Sequence, residues 1–125
     1  MRSLFLCIGS VGAGLAVALG AFGAHVLEAR ISADLMDTFQ TGVRYHMLHA
    51  VALMIVALAA DRPAAARLFK IAGYLFIIGT VIFSGSLYVL ALTGVRTLGA
   101  VTPVGGVCFL AGWAFAAVAA YRGER

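Results

Sequence analysis

The residues best equipped for chemistry gather around one stretch, Thr41 to Ala60, TGVRYHMLHAVALMIVALAA, which starts polar and ends apolar. His46 and His49 stand three positions apart, so on a helix they share a face. An imidazole there could ligate a metal, relay a proton or hydrogen-bond to a neighbouring helix. Ser84, Ser86 and Tyr88, within FSGSLYVLALTG, supply hydroxyl groups. His25, Gln40, Arg44 and Thr102 complete the set of candidate polar residues.

Four chemistries are open to these groups. A metal or haem site could use His46 and His49 with His25 approaching from another segment. Two histidines one turn apart cannot, however, flank a single haem, and no carboxylate stands beside them at membrane depth. Proton-coupled transport needs an ionisable group within a span. The acids Glu28, Asp34, Asp37, Asp61 and Glu124 fall in loops or at the tail, which leaves His46 or His49 for that role. Hydrolysis would need Ser84 or Ser86 as nucleophile and His49 as base, with no acid to orient the base. The fourth role is structural: hydrogen bonds between membrane helices are each worth about 0.6 to 2 kcal/mol. The residue types favour this last reading, a non-enzymatic structural or accessory component. A small-solute or proton-linked transporter or channel acting as an oligomer is the runner-up.

The elements that must position these groups follow from composition. The 125 residues are 63% hydrophobic and 11% charged, with a mean hydropathy of +1.05. That lies outside the soluble globular range and within the integral membrane class. A net charge of +4 raises the question of nucleic acid, but Lys and Arg form no cluster of three adjacent cations and no groove-reading motif, so nucleic acid is excluded as a partner. Cys7 and Cys108 lie in apolar runs without metal-site spacing and are expected to be inert buried thiols.

About 20 apolar residues cross roughly 30 Å of hydrocarbon. Four such runs place spans at about residues 3–24, 41–60, 71–92 and 103–121. The expectation is an all-α, integral membrane four-helix bundle forming a single domain, 1–125, with both termini on one side. Helix two is expected to begin earlier than its span, near Ala33: Ser32 looks like an N-cap, Asp34 lies in the first turn, and Leu35, Phe39, Val43 and Met47 recur every four residues. Pro103 suits a first helical position, with Thr102 ahead of it as a cap and 93–102 as a surface connector. Arg2, Arg62, Arg67, Lys70, Arg122 and Arg125 fall on one side, and only Arg30, Arg44 and Arg96 on the other. The positive-inside rule then puts both termini in the cytoplasm and the candidate polar pocket at the outer face of the membrane.

Counting 1.5 Å per residue from the outer surface places His46 about 7 Å deep and His49 about 12 Å. Tyr88, Ser86 and Ser84 fall at about 6, 9 and 12 Å on a helix running the other way. Matched depths predict that these groups meet. Gly12, Ala16, Gly20 and Ala24 recur every four residues on helix one and are expected to form a close-packing face. Its candidate partners are the neighbouring helices, other membrane proteins or a second copy, beside the lipid bilayer itself. TGVR occurs at 41–44 and again at 93–96, which raises duplication of a hairpin as an alternative to coincidence. The first run also invites a signal-peptide reading, but its apolar length exceeds the usual 7 to 15 residues.

Four blocks, GAFGAH at 20–25, TGVRYHMLHA at 41–50, FSGSLYVLALTG at 83–94 and TPVGGVCFLAGW at 102–113, resemble the small bacterial inner-membrane proteins grouped as domain of unknown function 423, the YgdD-like proteins. The eukaryotic transmembrane protein 256 is similar. The resemblance runs in order along essentially the whole chain. It implies a four-helix membrane protein that keeps its first span. The family pattern often has Gln where this chain has His46, whereas His25 and His49 sit inside the matching blocks. The resemblance implies no catalytic residue and no cofactor.

Overall fold

A computed structural model describes residues 1–123 of the chain. Arg125 and Glu124 lie outside the described residues. Four long helices account for most of the rest: α1, Arg2–His25; α2, Ala33–Ala59; α3, Ala66–Thr93; and α4, Thr102–Gly123. Short 3-10 turns at Leu27–Ala29 and Arg96–Ala100 lie in two of the connections. Each helix is long and apolar enough to cross a membrane. Successive crossings put residues 60–65 at the same end as the N-terminus, called here the terminal side. The 26–32 and 94–101 connections lie at the far side.

Local sequence sets the helix ends. Ser32 is extended, with ψ of 157°, and its hydroxyl accepts the Leu35 N–H at 3.2 Å, so α2 starts where the cap was expected. At 27 residues, α2 is about 40 Å long and projects beyond roughly 30 Å of hydrocarbon. Gly94 ends α3 in the left-handed conformation, φ 72°, and donates its N–H to Leu90 O at 2.7 Å. Glycine takes that φ without Cβ strain. α3 begins at Ala66, more than a turn before the charge-free run at 71. Its extra turn carries Arg67 and Lys70, whose stems can lie along the helix while their charges reach water.

Side-chain size is distributed as membrane packing requires. Val11, Val81, Val107 and Leu110 are each at least 65% exposed, while Ala16, Ala57, Ala72 and Ala119 are fully buried. Small residues inside allow backbones to approach, and branched ones outside meet lipid tails at no hydrophobic cost. Among the described glycines the closest approach to another backbone is between α3 and α4: a Cβ on Gly105 would lie 2.5 Å from the Phe83 backbone nitrogen.

Helices adjacent in sequence pack on one another, α1 on α2, α2 on α3 and α3 on α4. Among the described residues, α1 and α4 share no contact as extensive as these three. The α1 seam also differs from expectation. Gly12, Ala16 and Gly20 face α2, but Ala24 is exposed and Gly23 takes its place against Met36 and Phe39. A seam of strict four-residue steps drifts around a helix of 3.6 residues per turn, and the step from Gly20 to Gly23 corrects the drift. Phe5 carries α1 across to α3, where its ring sits on Gly73 and edge-on to Tyr74.

Candidate functional site

The candidate polar residues separate into several contacts. His46 and Tyr88 form the first: His46 Nδ1 is 2.9 Å from the Tyr88 hydroxyl, joining α2 to α3. The Nε2 edge of the same ring faces the Gly12 backbone of α1. The depth expectation holds for this pair. Gly42, one turn before His46, lets the Tyr88 ring lie against the α2 backbone.

Ser84 forms the second contact, donating its hydroxyl to Gly42 O at 2.7 Å. It is 1% exposed, and its bond goes to a backbone carbonyl of the neighbouring helix. A helical carbonyl has a second lone pair, so Gly42 O can accept this bond without leaving its own ladder. Depth alone matched Ser84 with His49, but rotation about the helix axis sends the two apart.

His49 forms the third contact and is 2% exposed. Its Nδ1 is 2.8 Å from Tyr45 O, one turn back on α2. Its Nε2 accepts the indole N–H of Trp113, on α4, at 3.1 Å. The ring stacks on Phe109 with centroids 3.5 Å apart and planes 8° from parallel, and Phe76 closes its edge. Tyr45 also joins this aromatic layer through Phe83, at 4.7 Å, and Phe109. The layer fills the gap between α2 and α4.

Ser86 and Thr102 form the fourth contact, with hydroxyls 2.6 Å apart, tying α3 to the start of α4. Each hydroxyl also has a backbone acceptor within reach, Phe83 O at 2.9 Å for Ser86 and Leu98 O at 3.5 Å for Thr102. Thr102 was expected to cap the free amides of α4, but it is buried and its hydroxyl turns to Ser86 instead.

Gln40 and Arg44 lie elsewhere, in a groove of about 210 Å³ between α1 and α2 that is also lined by Gly20 and Val43. His46 and His49 line a different cavity of about 120 Å³, with Gly12, Phe76 and Thr80. His25 is exposed in the last turn of α1, a position where a cation complements the helix dipole. Among the described residues no three His, Cys, Asp or Glu side chains are grouped to hold a metal ion.

Trp113 is the site residue that sequence reasoning missed. The signal was present: it is the one Trp of the chain, and an indole N–H inside a membrane needs an acceptor. Counting inward from Pro103 puts it about 15 Å deep, near the depth of His49.

The family model described as "Protein of unknown function (DUF423)" matches residues 19–106. The chain is 46% identical over 119 residues to the UPF0382 membrane protein YwdK of Bacillus subtilis, covering 95% of this chain and 97% of that protein. It is 46% identical over 126 residues to the UPF0382 inner membrane protein YgdD of Escherichia coli K12, covering 100% of this chain and 95% of that one. A UPF0382 membrane protein of Staphylococcus haemolyticus is 40% identical over 119 residues, with 95% of this chain and 96% of that protein covered. No solved structure matches the chain.

Proposed function

The chain belongs to the DUF423 family of membrane proteins, and from that premise we propose that it is a non-enzymatic structural or accessory component of the inner membrane. Support comes chiefly from His49, the deeper of the two histidines of α2 by sequence. Both of its nitrogens are engaged, one by the Tyr45 carbonyl and one by Trp113. With Nδ1–H given to the Tyr45 carbonyl and the Nε2 lone pair accepting from Trp113, neither nitrogen of this ring is left open to a relayed proton, a metal or Ser84, whose own hydroxyl is given to Gly42. Membrane polar groups spent in this way hold helices in register.

Both termini are proposed to face the cytoplasm, since the terminal side carries Arg2, Arg62, Arg67, Lys70 and Arg122. Alkaline phosphatase fused after Arg125 should be inactive and a fluorescent protein there bright, and the opposite pair of results would invert the topology.

The structural role is tested in proteoliposomes carrying a pH-sensitive dye. Under an imposed pH gradient the protein should pass protons no faster than empty vesicles, and His49→Gln should alter thermal stability alone. Proton flux that His49→Gln abolishes would replace the structural reading with proton-linked transport. Crosslinking in native membranes supplies the accessory half, through a neighbour recovered in fixed ratio to this chain.

A further inference from the structure

We propose that the α1–α2 groove on the far side holds one zwitterionic aminophospholipid, its phosphate on Arg44 and Gln40 and its ammonium beside Asp37. The proposal is independent of the structural role assigned to His49.

The groove has a polar mouth and an apolar trough. At the mouth lie Gln40 and Arg44. The trough, about 750 Å³, continues inward from Arg44 over Ala16, Val17, Gly20, Ala21 and Leu48. Small α1 side chains keep it open: a Cβ added at Gly20 would meet only Val43 within 4 Å. An acyl chain suits such a surface, and a helical side chain points back toward its N-terminus, which carries the Arg44 guanidinium outward to headgroup level.

Charge decides the headgroup. Of the far-side ion pairs among the described residues, the one present joins Arg96 to Asp34, at 2.9 Å. Arg44 and Asp37 have no ion-pair partner there. Asp37, Gln40 and Arg44 stand at i, i+3 and i+7, on one face of α2. Going outward, the order is cation, amide, carboxylate. In a phospholipid the phosphate is attached to glycerol and an amine is the outermost group, so the two sequences of charge are complementary. A purely anionic headgroup would satisfy Arg44 but meet Asp37 as a like charge.

The test is native mass spectrometry of the full chain released from nanodiscs of equal phosphatidylethanolamine and phosphatidylglycerol. Wild-type protein should retain one phosphatidylethanolamine per chain. Arg44→Gln should lower the retained fraction about tenfold, as expected for losing a charge-assisted hydrogen bond, and Arg44→Lys should recover part of it. Asp37→Asn should keep a lipid but hold the two headgroups equally. Gly20→Leu, which fills the trough without touching a charge, should also release the lipid, whereas Arg96→Gln should not. Equal retention of both lipids by wild-type protein, undiminished retention by Arg44→Gln, or a second copy of the chain in place of lipid would each overturn the proposal.

Discussion

Trp113 on α4 donates its indole N–H to Nε2 of His49 on α2, linking two helices that are not neighbours in the packed series. The donor fixes the tautomer of the acceptor. An indole N–H can only donate and the Tyr45 carbonyl can only accept, so His49 carries its hydrogen on Nδ1. One imidazole thereby reads both the turn behind it and the helix opposite, while Phe109 stacks on its face.

Removing either partner leaves a polar group without a mate inside hydrocarbon. His49→Phe and Trp113→Phe should each destabilise the protein, and the double variant should cost less than their sum. A coupling of about 0.6 to 2 kcal/mol is expected for a hydrogen bond between membrane helices. Thermal or denaturant unfolding in detergent micelles measures it, and strict additivity would show that the contact contributes only packing.

His46 and Tyr88 allow a more discriminating substitution. His46→Gln keeps an amide able to meet the Tyr88 hydroxyl, whereas His46→Leu leaves that hydroxyl unpaired between α2 and α3. The glutamine variant should retain most of the wild-type stability, and the leucine variant should lose about 1 kcal/mol more. Equal losses in the same unfolding assay would show that the ring's shape, not its polarity, matters at this position.

Length and rise predicted four membrane-length helices and the meeting of His46 with Tyr88, because these depend on distance along a helix axis, and the start of α2 was legible in the cap chemistry of Ser32. Rotation about that axis was not accessible in the same way. Ser84 and His49 match in depth, yet Ser84 turns to Gly42 and His49 to Trp113. The exchange of Ala24 for Gly23 in the α1 seam has the same origin, a small angular drift accumulated over several turns. Nor does periodicity within single helices say which helices meet. Which pairs pack most extensively depends on how four cylinders are arranged, and here the extensive contacts follow the order of the chain.

Glycines with different surroundings should respond with opposite sign. At Gly105 a Cβ would lie 2.5 Å from Phe83 N and 2.8 Å from its Cα, and a backbone has little freedom to yield. At Gly14 a Cβ would meet nothing within 4 Å. Gly105→Ala should therefore pry α4 from α3 and destabilise by about 1 to 3 kcal/mol. Gly14→Ala should be neutral or raise stability by up to about 1 kcal/mol, from helix propensity alone. Circular dichroism melts of the two variants decide the matter, and a large loss at Gly14 would point to a contact of the lipid-facing surface with something other than lipid.

Arg96 and Asp34 offer the far side's ion pair as a comparison. It joins the 94–101 connection to the first turn of α2, and both side chains are about 70% exposed. Water screens a pair so exposed, and ordering two flexible side chains offsets much of the attraction. Arg96→Gln should thus cost less than about 1 kcal/mol, and the difference from wild type should shrink as salt is raised, since the Debye length falls from about 10 Å at 0.1 M to about 3 Å at 1 M. Asp34 also lies in the first turn of a helix, where a carboxylate is favoured by the dipole without any partner. Asp34→Asn should accordingly cost more than Arg96→Gln. If the two losses are equal at every salt concentration, the ion pair rather than the helix end accounts for the contribution of Asp34.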